Sequence, residues 1–247
     1  MHVLISNDDG IFAPGIIALA KAAAERGHRV SIFAPDSQRS AAGHAITLTR
    51  PLRATPVELE GFSAFAVDGT PADCVRLGVY LLGEDKPDFV LAGVNNGPNR
   101  GAAILYSGTV SAAMEGSLCG VPGVAVSLCH YTSEEFAAAA ALGVKTAEWA
   151  VKRPLPRGEI YNLNVPFGNG DWPLRAASVS YEFINDALYR QLEDGSYMIE
   201  DCENALPETD PCSDFLLTKG GYATLSVLSW NLQSATQLDD ISDLQGE

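Results

Sequence analysis

The stretch Met1-His2-Val3-Leu4-Ile5-Ser6-Asn7-Asp8-Asp9-Gly10 decides how the rest of the chain is read. Val3 to Ile5 is a short apolar run of the kind that forms a buried strand. It stops abruptly at Asn-Asp-Asp-Gly, and a helical pattern from Gly15 to Arg26 follows at once. In a parallel α/β sheet that position is the carboxyl edge of a strand, where ligands bind. Nucleotide-binding folds usually place glycines there, so that phosphate can approach backbone N–H groups. This chain places two adjacent carboxylates there instead. At ~4 Å, like charges repel by roughly 1 kcal/mol in bulk water and several-fold more at a partly buried site. Either something positive sits between them, for which a divalent cation is the natural choice, or one of them holds a proton. The same residues are all turn formers, so a plain turn is the competing reading.

Working outward, Gly27 suits the C-cap of that helix and Arg29 to Ala34 reads as a second strand, so residues 2–34 form one βαβ unit. It contains no G-x-G-x-x-G, which argues against a nicotinamide or flavin dinucleotide site. The polar loop Pro35 to Gly43 leaves the carboxyl end of the second strand. If the two strands are neighbours, the loop overhangs the Asp pair with the hydroxyls of Ser37 and Ser40 and the cation of Arg39; otherwise it is a solvated loop. Ala45 to Arg53 and Phe62 to Val67 read as extended. Thr70, Pro71 and Asp73 then occupy the N-cap, first and third positions of a helix start of the capping-box kind.

Asp88 to Gly93 is another apolar strand, opening into Gly93-Val94-Asn95-Asn96-Gly97-Pro98-Asn99-Arg100-Gly101. No lysine follows at P-loop spacing. Amide side chains do supply neutral oxygens for hard cations and donors for phosphate. Tyr106-Ser107-Gly108-Thr109 precedes a helix from Val110 to Cys119. Hydroxyls and a glycine at a helix N-terminus make an anion site, or simply cap the helix. Ser107 is not in a G-x-S-x-G elbow, so a serine hydrolase is not expected. Gly123 to Ser127 and Ile160 to Val165 read as strands on either side of an Ala-rich helix, Ser133 to Lys152. Beyond Pro166 the βα rhythm stops: Ala176 to Glu182 and Ser196 to Ile199 look like hairpin strands, and Tyr222 to Leu228 like a late strand. A segment this thin is expected to lie across a subunit partner rather than fold as a separate domain. His2 and His28 do not suggest catalysis. His44 and His130 could face the site, but no paired spacing supports zinc.

Composition bounds the function. A chain of 247 residues can bury a full core as one α/β domain. Its net charge of −15 leaves no electrostatic footprint for duplex nucleic acid or an anionic membrane. Glu182 to Asp214 is especially acidic, with Arg190 its one basic residue. Five cysteines without C-x-x-C spacing read as thiols of a reducing cytoplasm, with Cys202–Cys212 the conceivable pair. Asp8 and Asp9 interrupt any signal-peptide pattern, and no apolar run approaches the ~20 residues of a membrane span. A soluble, cytoplasmic protein is expected.

Taken together, these pieces resemble the SurE (survival protein E) family of metal-dependent 5′/3′-nucleotidases and acid phosphatases. The matching stretches begin with Ile5-Ser6-Asn7-Asp8-Asp9-Gly10, Ala13-Pro14-Gly15-Ile16 and Ala34-Pro35-Asp36 leading to Arg39-Ser40. They continue through Gly69-Thr70-Pro71-Ala72-Asp73-Cys74-Val75, Gly93 to Asn99, Tyr106-Ser107-Gly108-Thr109-Val110 and Glu115-Gly116, with weaker echoes in Asn162 to Pro166 and Gly221-Tyr222. The resemblance implies an α/β class, a three-layer Rossmann-like SurE fold whose mostly parallel sheet carries a C-terminal β-hairpin or extension. Residues 1–247 would be one SurE-like domain, with a catalytic core over 1–170 and an extension over 171–247 used in oligomerisation. It implies one divalent cation per subunit, Mg²⁺ or Mn²⁺, held by oxygens of Asp8, Asp9, Ser40 and Asn95. Asn99, Ser107, Gly108 and Thr109 would bind the substrate phosphate, and Asp8 and Asp9 would be catalytic, Asp8 as nucleophile or general base. The substrate would be a small phosphomonoester, a nucleoside monophosphate above all, with polyphosphate a further substrate and a homodimer or homotetramer the assembly. Two departures stand out: Ala92 replaces the family's usual Ser, and the chain diverges strongly after residue 170. The rival readings are a sugar-nucleotide glycosyltransferase, suggested by Gly15 to Pro35, and a non-catalytic nucleotide or metal sensor.

Overall fold

Val3, Leu4 and Ile5 have no exposed surface, because β1 (His2–Ser6) lies near the middle of a nine-stranded sheet. The computed structural model describes residues 1–168, 170, 172–181, 188–200 and 208–233. β1 pairs in parallel with β2 (Arg29–Pro35) on one side and with β5 (Phe89–Asn96) on the other. From β2 the sheet runs outward to β4 (Phe62–Val67) and its antiparallel neighbour β3 (Ala54–Leu59). From β5 it runs through parallel β6 (Gly123–Cys129) and β7 (Glu159–Pro166) to antiparallel β11 (Ala223–Ser229), and ends at β8 (Leu174–Ala176). The chain therefore builds one half of the sheet to the left of β1 and then restarts to its right. The topological switch point falls between β1 and β5, where ligands of open α/β sheets bind.

Helices cover both faces and complete three layers. α1 (Pro14–Glu25) and α4 (Ala137–Ala150) bury Ile16, Leu19, Ala140 and Val144 against the odd-numbered side chains Val3, Ile5 and Leu91. α2 (Pro71–Leu82) and α3 (Gly108–Leu118) cover Leu4, Val90 and Ala92 on the other side. This period-two division of consecutive residues is what a strand buried on both faces requires. Gly15 lets α1 approach β5, since a Cβ there would lie 2.1 Å from the Val94 carbonyl oxygen. α2 starts as its sequence predicts. Thr70 accepts from the Asp73 N–H and Asp73 accepts from the Thr70 N–H, a full capping box.

Several expectations change in detail. Residues 45–53 form no strand, because the Thr47 N–H and hydroxyl are both donated to the Asp73 carboxylate rather than to a ladder. α4 starts at Ala137 rather than Ser133. Ser133 Oγ takes the Glu135 N–H at 2.9 Å, a local bond that competes with helix. The partner of the C-terminal hairpin also differs: β10 (Tyr197–Glu200) pairs with β9 (Leu188–Gln191), not with the 176–182 stretch. Leu174–Ala176 instead joins β11, and Ser178 turns away to bridge Ser213 just before the short helix α5 (Asp214–Lys219). Glu182, Cys202, much of the acidic 182–214 segment and residues 234–247 lie outside the described residues. Among the described residues no helix is long and apolar enough to cross a membrane.

Candidate active site

Both loops at the switch point carry the residues singled out above. After β1, Asn7 Nδ2 donates to the Gly10 carbonyl at 2.9 Å, so a turn does form, but it leaves both aspartates unused. Asp8 is buried at 5 % exposure, and its Oδ1 accepts the Thr109 hydroxyl at 2.6 Å. Burial pushes the Asp8 carboxyl up from its ordinary value, opposed by the Thr109 hydroxyl and by backbone N–H groups of Asp8, Gly108 and Thr109. Asp9 is half-buried, and its Oδ2 faces the Asn96 N–H at 3.4 Å. Burial first, and then the charge of Asp8, raise its pKa to about 6. Burial leads both shifts, and for Asp9 the neighbouring charge adds to it.

From β5, a register irregularity between Ala92 and Asn95 re-aims the strand end. Asn95 Oδ1 lies 3.5 Å from the same Thr109 hydroxyl that serves Asp8, so a carboxylate and an amide oxygen converge there. The amide nitrogen of Asn95 is held away by the Gly97 carbonyl at 2.8 Å, which fixes the oxygen's orientation. α3 then aims its N-terminus at the pair. Ser107 caps it by accepting the Val110 N–H at 3.0 Å, so the helix begins at Gly108, two residues earlier than expected. A Cβ on Gly108 would lie 2.6 Å from Asp8 Cβ, which makes glycine a condition of this contact.

Two of the sequence-stretch candidates sit differently. Ser40 is exposed and its hydroxyl accepts from Gln38 Nε2 at 2.9 Å; its loop is tied to the site one residue earlier, by the Arg39 N–H donating to the Asp8 carbonyl at 2.7 Å. Asn99 is buried and turned into a polar cluster of its own. Its Nδ2 donates to Ser127 Oγ, its N–H to Asn164 Oδ1, and its carbonyl accepts from both Asn162 and Asn164. Of the histidines, His44 bonds Glu115 on α3 at 2.9 Å and His130 stacks on Phe167, with ring centroids 4.4 Å apart. Sequence reasoning quoted Asn96 and Glu115 within matching stretches but gave neither a role, and it gave none to Gln38. Asn96 and Gln38 are polar residues with no spacing rule to mark them, and Glu115 reads as an ordinary helical carboxylate.

The donor set suits a hard cation. Asp8, Asp9 and Asn95 supply oxygens only, and among the described residues no cluster of three His, Cys, Asp or Glu side chains forms. The adjacent Asn7 Oδ1 is buried without a partner, a further acceptor beside the pair.

With this geometry in view, comparison with known proteins is decisive. The family model described as survival protein SurE matches residues 3–186. The chain belongs to the SurE family. It is 40% identical to the 5′-nucleotidase SurE of Synechococcus sp. (strain JA-3-3Ab), over 98% of this chain and 96% of that protein. It is 39% identical to the 5′-nucleotidase SurE of Nostoc sp. (strain PCC 7120), over 98% of both. The crystal structure of the SurE protein from Aquifex aeolicus superposes with a TM-score of 0.81 at 31% identity, covering 99% of this chain and all of that one. The SurE fold is thus the three-layer, switch-point architecture seen here, with the Asp8–Asp9 turn at its crest.

Proposed function

We propose that this chain is a divalent-metal-dependent phosphomonoesterase that hydrolyses nucleoside monophosphates to nucleoside and phosphate. One observation carries the reading. Asp8, one of two adjacent carboxylates at the switch point, shares a hydroxyl, Thr109, with the amide oxygen of Asn95, and the N-terminus of α3 abuts it. The names of the similar proteins support the substrate class. Asp8, Asp9 and Asn95 would hold one cation, Mg²⁺ or Mn²⁺, and a modest movement of the Arg39-tethered loop would add Ser40. That cation, when bound, offsets the carboxylates and polarises a phosphoryl oxygen.

The chain's own residues do the rest. Ser107 would offer its hydroxyl, and Gly108 and Thr109 their helix N-terminal N–H groups, to the remaining phosphate oxygens, while the Thr109 hydroxyl stays on Asp8. Asn99 orders the 97–101 loop. Asp8, oriented through Oδ1 by Thr109, would take the proton of an attacking water as general base, or attack phosphorus itself as nucleophile. In the general-base route, water adds to phosphorus as Asp8 takes its proton, the ester P–O bond breaks, and the nucleoside oxygen leaves with the proton that Asp8 gives back.

The assembly we propose is a homodimer or homotetramer in the cytoplasm, built from a core over 1–170 and an extension over 171–247. The hairpin β9–β10 supports this: it stands outside the main sheet and exposes Tyr189, Tyr197, Met198 and Ile199. The deciding experiment is phosphate release from AMP with Mn²⁺. Chelation should abolish it, and Asp9→Asn should lose it while the circular dichroism spectrum is kept. Undiminished turnover by Asp9→Asn would remove the metal assignment.

A further inference from the structure

The loop that follows β2 crosses from one part of the site to another and is pinned at both ends. At its start the Arg39 N–H donates to the Asp8 carbonyl at 2.7 Å, at the tip of β1. At its end the Gly43 N–H donates to the Tyr106 carbonyl at 3.0 Å, and His44 Nε2 donates to Glu115 Oε2 on α3 at 2.9 Å. Glu115 is buried, and its other oxygen meets Arg76 on α2, so the acceptor is fixed from inside the fold. A hydrogen bond to a carboxylate is charge-assisted and stronger than a neutral one. Ser40, the cation ligand expected on this loop, hangs between the two anchors. So does Ala41, whose φ of 56° lies in the left-handed region, followed by Gly43 at 57°. A residue with a Cβ takes that conformation when its surroundings impose it. The anchors, not local preference, give the loop its shape. Beyond it, the Ala45 carbonyl is held separately by the Thr70 hydroxyl at 2.7 Å, and Thr47 by Asp73.

We propose that His44 is a positioning residue for the cation. Its bond to Glu115 latches the loop against α3 and so limits the conformations from which Ser40 must be recruited. The proposal rests on the metal-dependent reading of the site, with Ser40 as a ligand, and names what tunes its metal affinity. A site that is competent for only a fraction of the time binds with a dissociation constant divided by that fraction. Releasing the latch therefore weakens metal binding without removing any ligand, and metal at saturation draws the loop back into order. Arg76 makes the contrast. It holds the same carboxylate through the other oxygen, yet it belongs to α2 and carries no part of the loop.

The test titrates Mn²⁺ into the full chain by calorimetry, in the wild type, His44→Ala, His44→Gln and Arg76→Ala. His44→Ala should raise the Kd for Mn²⁺ by about tenfold. It should also quicken hydrogen exchange in residues 40–44 of the metal-free protein, an effect that saturating Mn²⁺ reverses. The Mn²⁺ concentration needed for half-maximal AMP turnover should move by the same factor as the Kd. His44→Gln keeps a side-chain donor and should recover most of the affinity. Arg76→Ala should lower the melting temperature and leave the Kd where it was. A His44→Ala variant that melts lower but binds Mn²⁺ like the wild type overturns the proposal, because the bond is then structural alone. An equal loss of affinity in Arg76→Ala overturns it too, since any loosening of Glu115 would then suffice. Failure of the wild type to bind Mn²⁺, or binding that survives Asp9→Asn, is a different result: it defeats the metal reading and the proposal with it.

Discussion

Thr109 donates its hydroxyl to Asp8 Oδ1 at 2.6 Å, tying the first turn of α3 to the tip of β1 across a sequence separation of 101 residues. The same hydroxyl lies 3.5 Å from Asn95 Oδ1, at the end of β5. One side chain without exposed surface thus sets the spacing between the two strand ends that flank the switch point and the helix that faces them. The residues proposed to bind metal and phosphate are held to one geometry by this contact.

Thr109→Val keeps the volume and removes the donor. Asp8 then loses one of the groups that oppose the effect of its burial, which pushes its pKa further up. Nucleotidase kcat is expected to fall at least tenfold and stability by roughly 1–2 kcal/mol. Thr109→Ser should recover most of both. Steady-state kinetics with urea titrations checks this, and a fully active valine variant would refute it.

Gly108→Ala places a methyl 2.6 Å from Asp8 Cβ and 2.9 Å from Pro71 Cγ. Something in that junction must shift. We expect near-complete loss of activity with a stability cost of roughly 1–3 kcal/mol, and weaker Mn²⁺ binding by calorimetry. An alanine variant that binds Mn²⁺ normally would show that the α3–Asp8 contact is not tight in solution.

Asp9 makes the metal-free protein sensitive to pH. Its folded pKa of about 6 lies above the ordinary value of 3.8, so the folded state holds the proton more tightly than the unfolded chain. That stabilisation is complete below about pH 3.8 and is lost as pH rises through about 6. Relative to Asp9→Asn, the metal-free wild type should therefore become less stable from about pH 5 to about pH 7, by on the order of 1 kcal/mol after allowance for solvent screening. Saturating Mn²⁺ should erase the difference in slope. Thermal melts of both proteins across that range, with and without chelator, decide it.

Glu115 is 1 % exposed and bonds His44 Nε2 at 2.9 Å and Arg76 Nη2 at 2.5 Å. Burial would raise its pKa, but the His44 bond and the Arg76 charge outweigh it, leaving the carboxyl below its ordinary 4.5. Its stabilisation is therefore present above pH 4.5 and lost as pH falls through its lowered folded value. Both partners keep some solvent access, so Glu115→Ala is expected to cost a moderate 1–3 kcal/mol, roughly. His44 sits in the loop that carries Ser40, so hydrogen exchange in residues 38–44 should also quicken. Unaltered exchange there would show that other contacts hold the loop.

Asn164→Leu removes the acceptor of the Asn99 N–H and one of two donors to its carbonyl, both buried. We expect a loss of about 2 kcal/mol and a raised KM for AMP. A destabilised variant with unchanged KM would separate the polar cluster from substrate binding.

The strand at Val3 to Ile5 and the helix start at Thr70–Pro71–Asp73 were legible because each depends on neighbours a few residues away. Burial on both faces writes a continuous apolar run, and an N-cap writes a hydroxyl three residues before the N–H it accepts. The motif set, taken in order, also carried the family. What remained hidden was pairing at a distance. No local rule states that Leu188–Gln191 is the partner of Tyr197–Glu200, or that His44 meets Glu115 rather than the aspartates.

By itself, then, the sequence determined the alternation of strands and helices, the acidic turn after β1 and the oxygen-only chemistry available there. Only the tertiary structure decided that β1 and β5 flank the switch point, that Thr109 joins Asp8 to Asn95, that Asn99 is buried among Ser127, Asn162 and Asn164, and that Asp8 meets α3 while Asp9 meets Asn96. Propensity and periodicity act over a turn or two of chain, whereas these contacts join residues up to about a hundred positions apart. Their geometry is set by which apolar faces can be buried together, a property of the whole core.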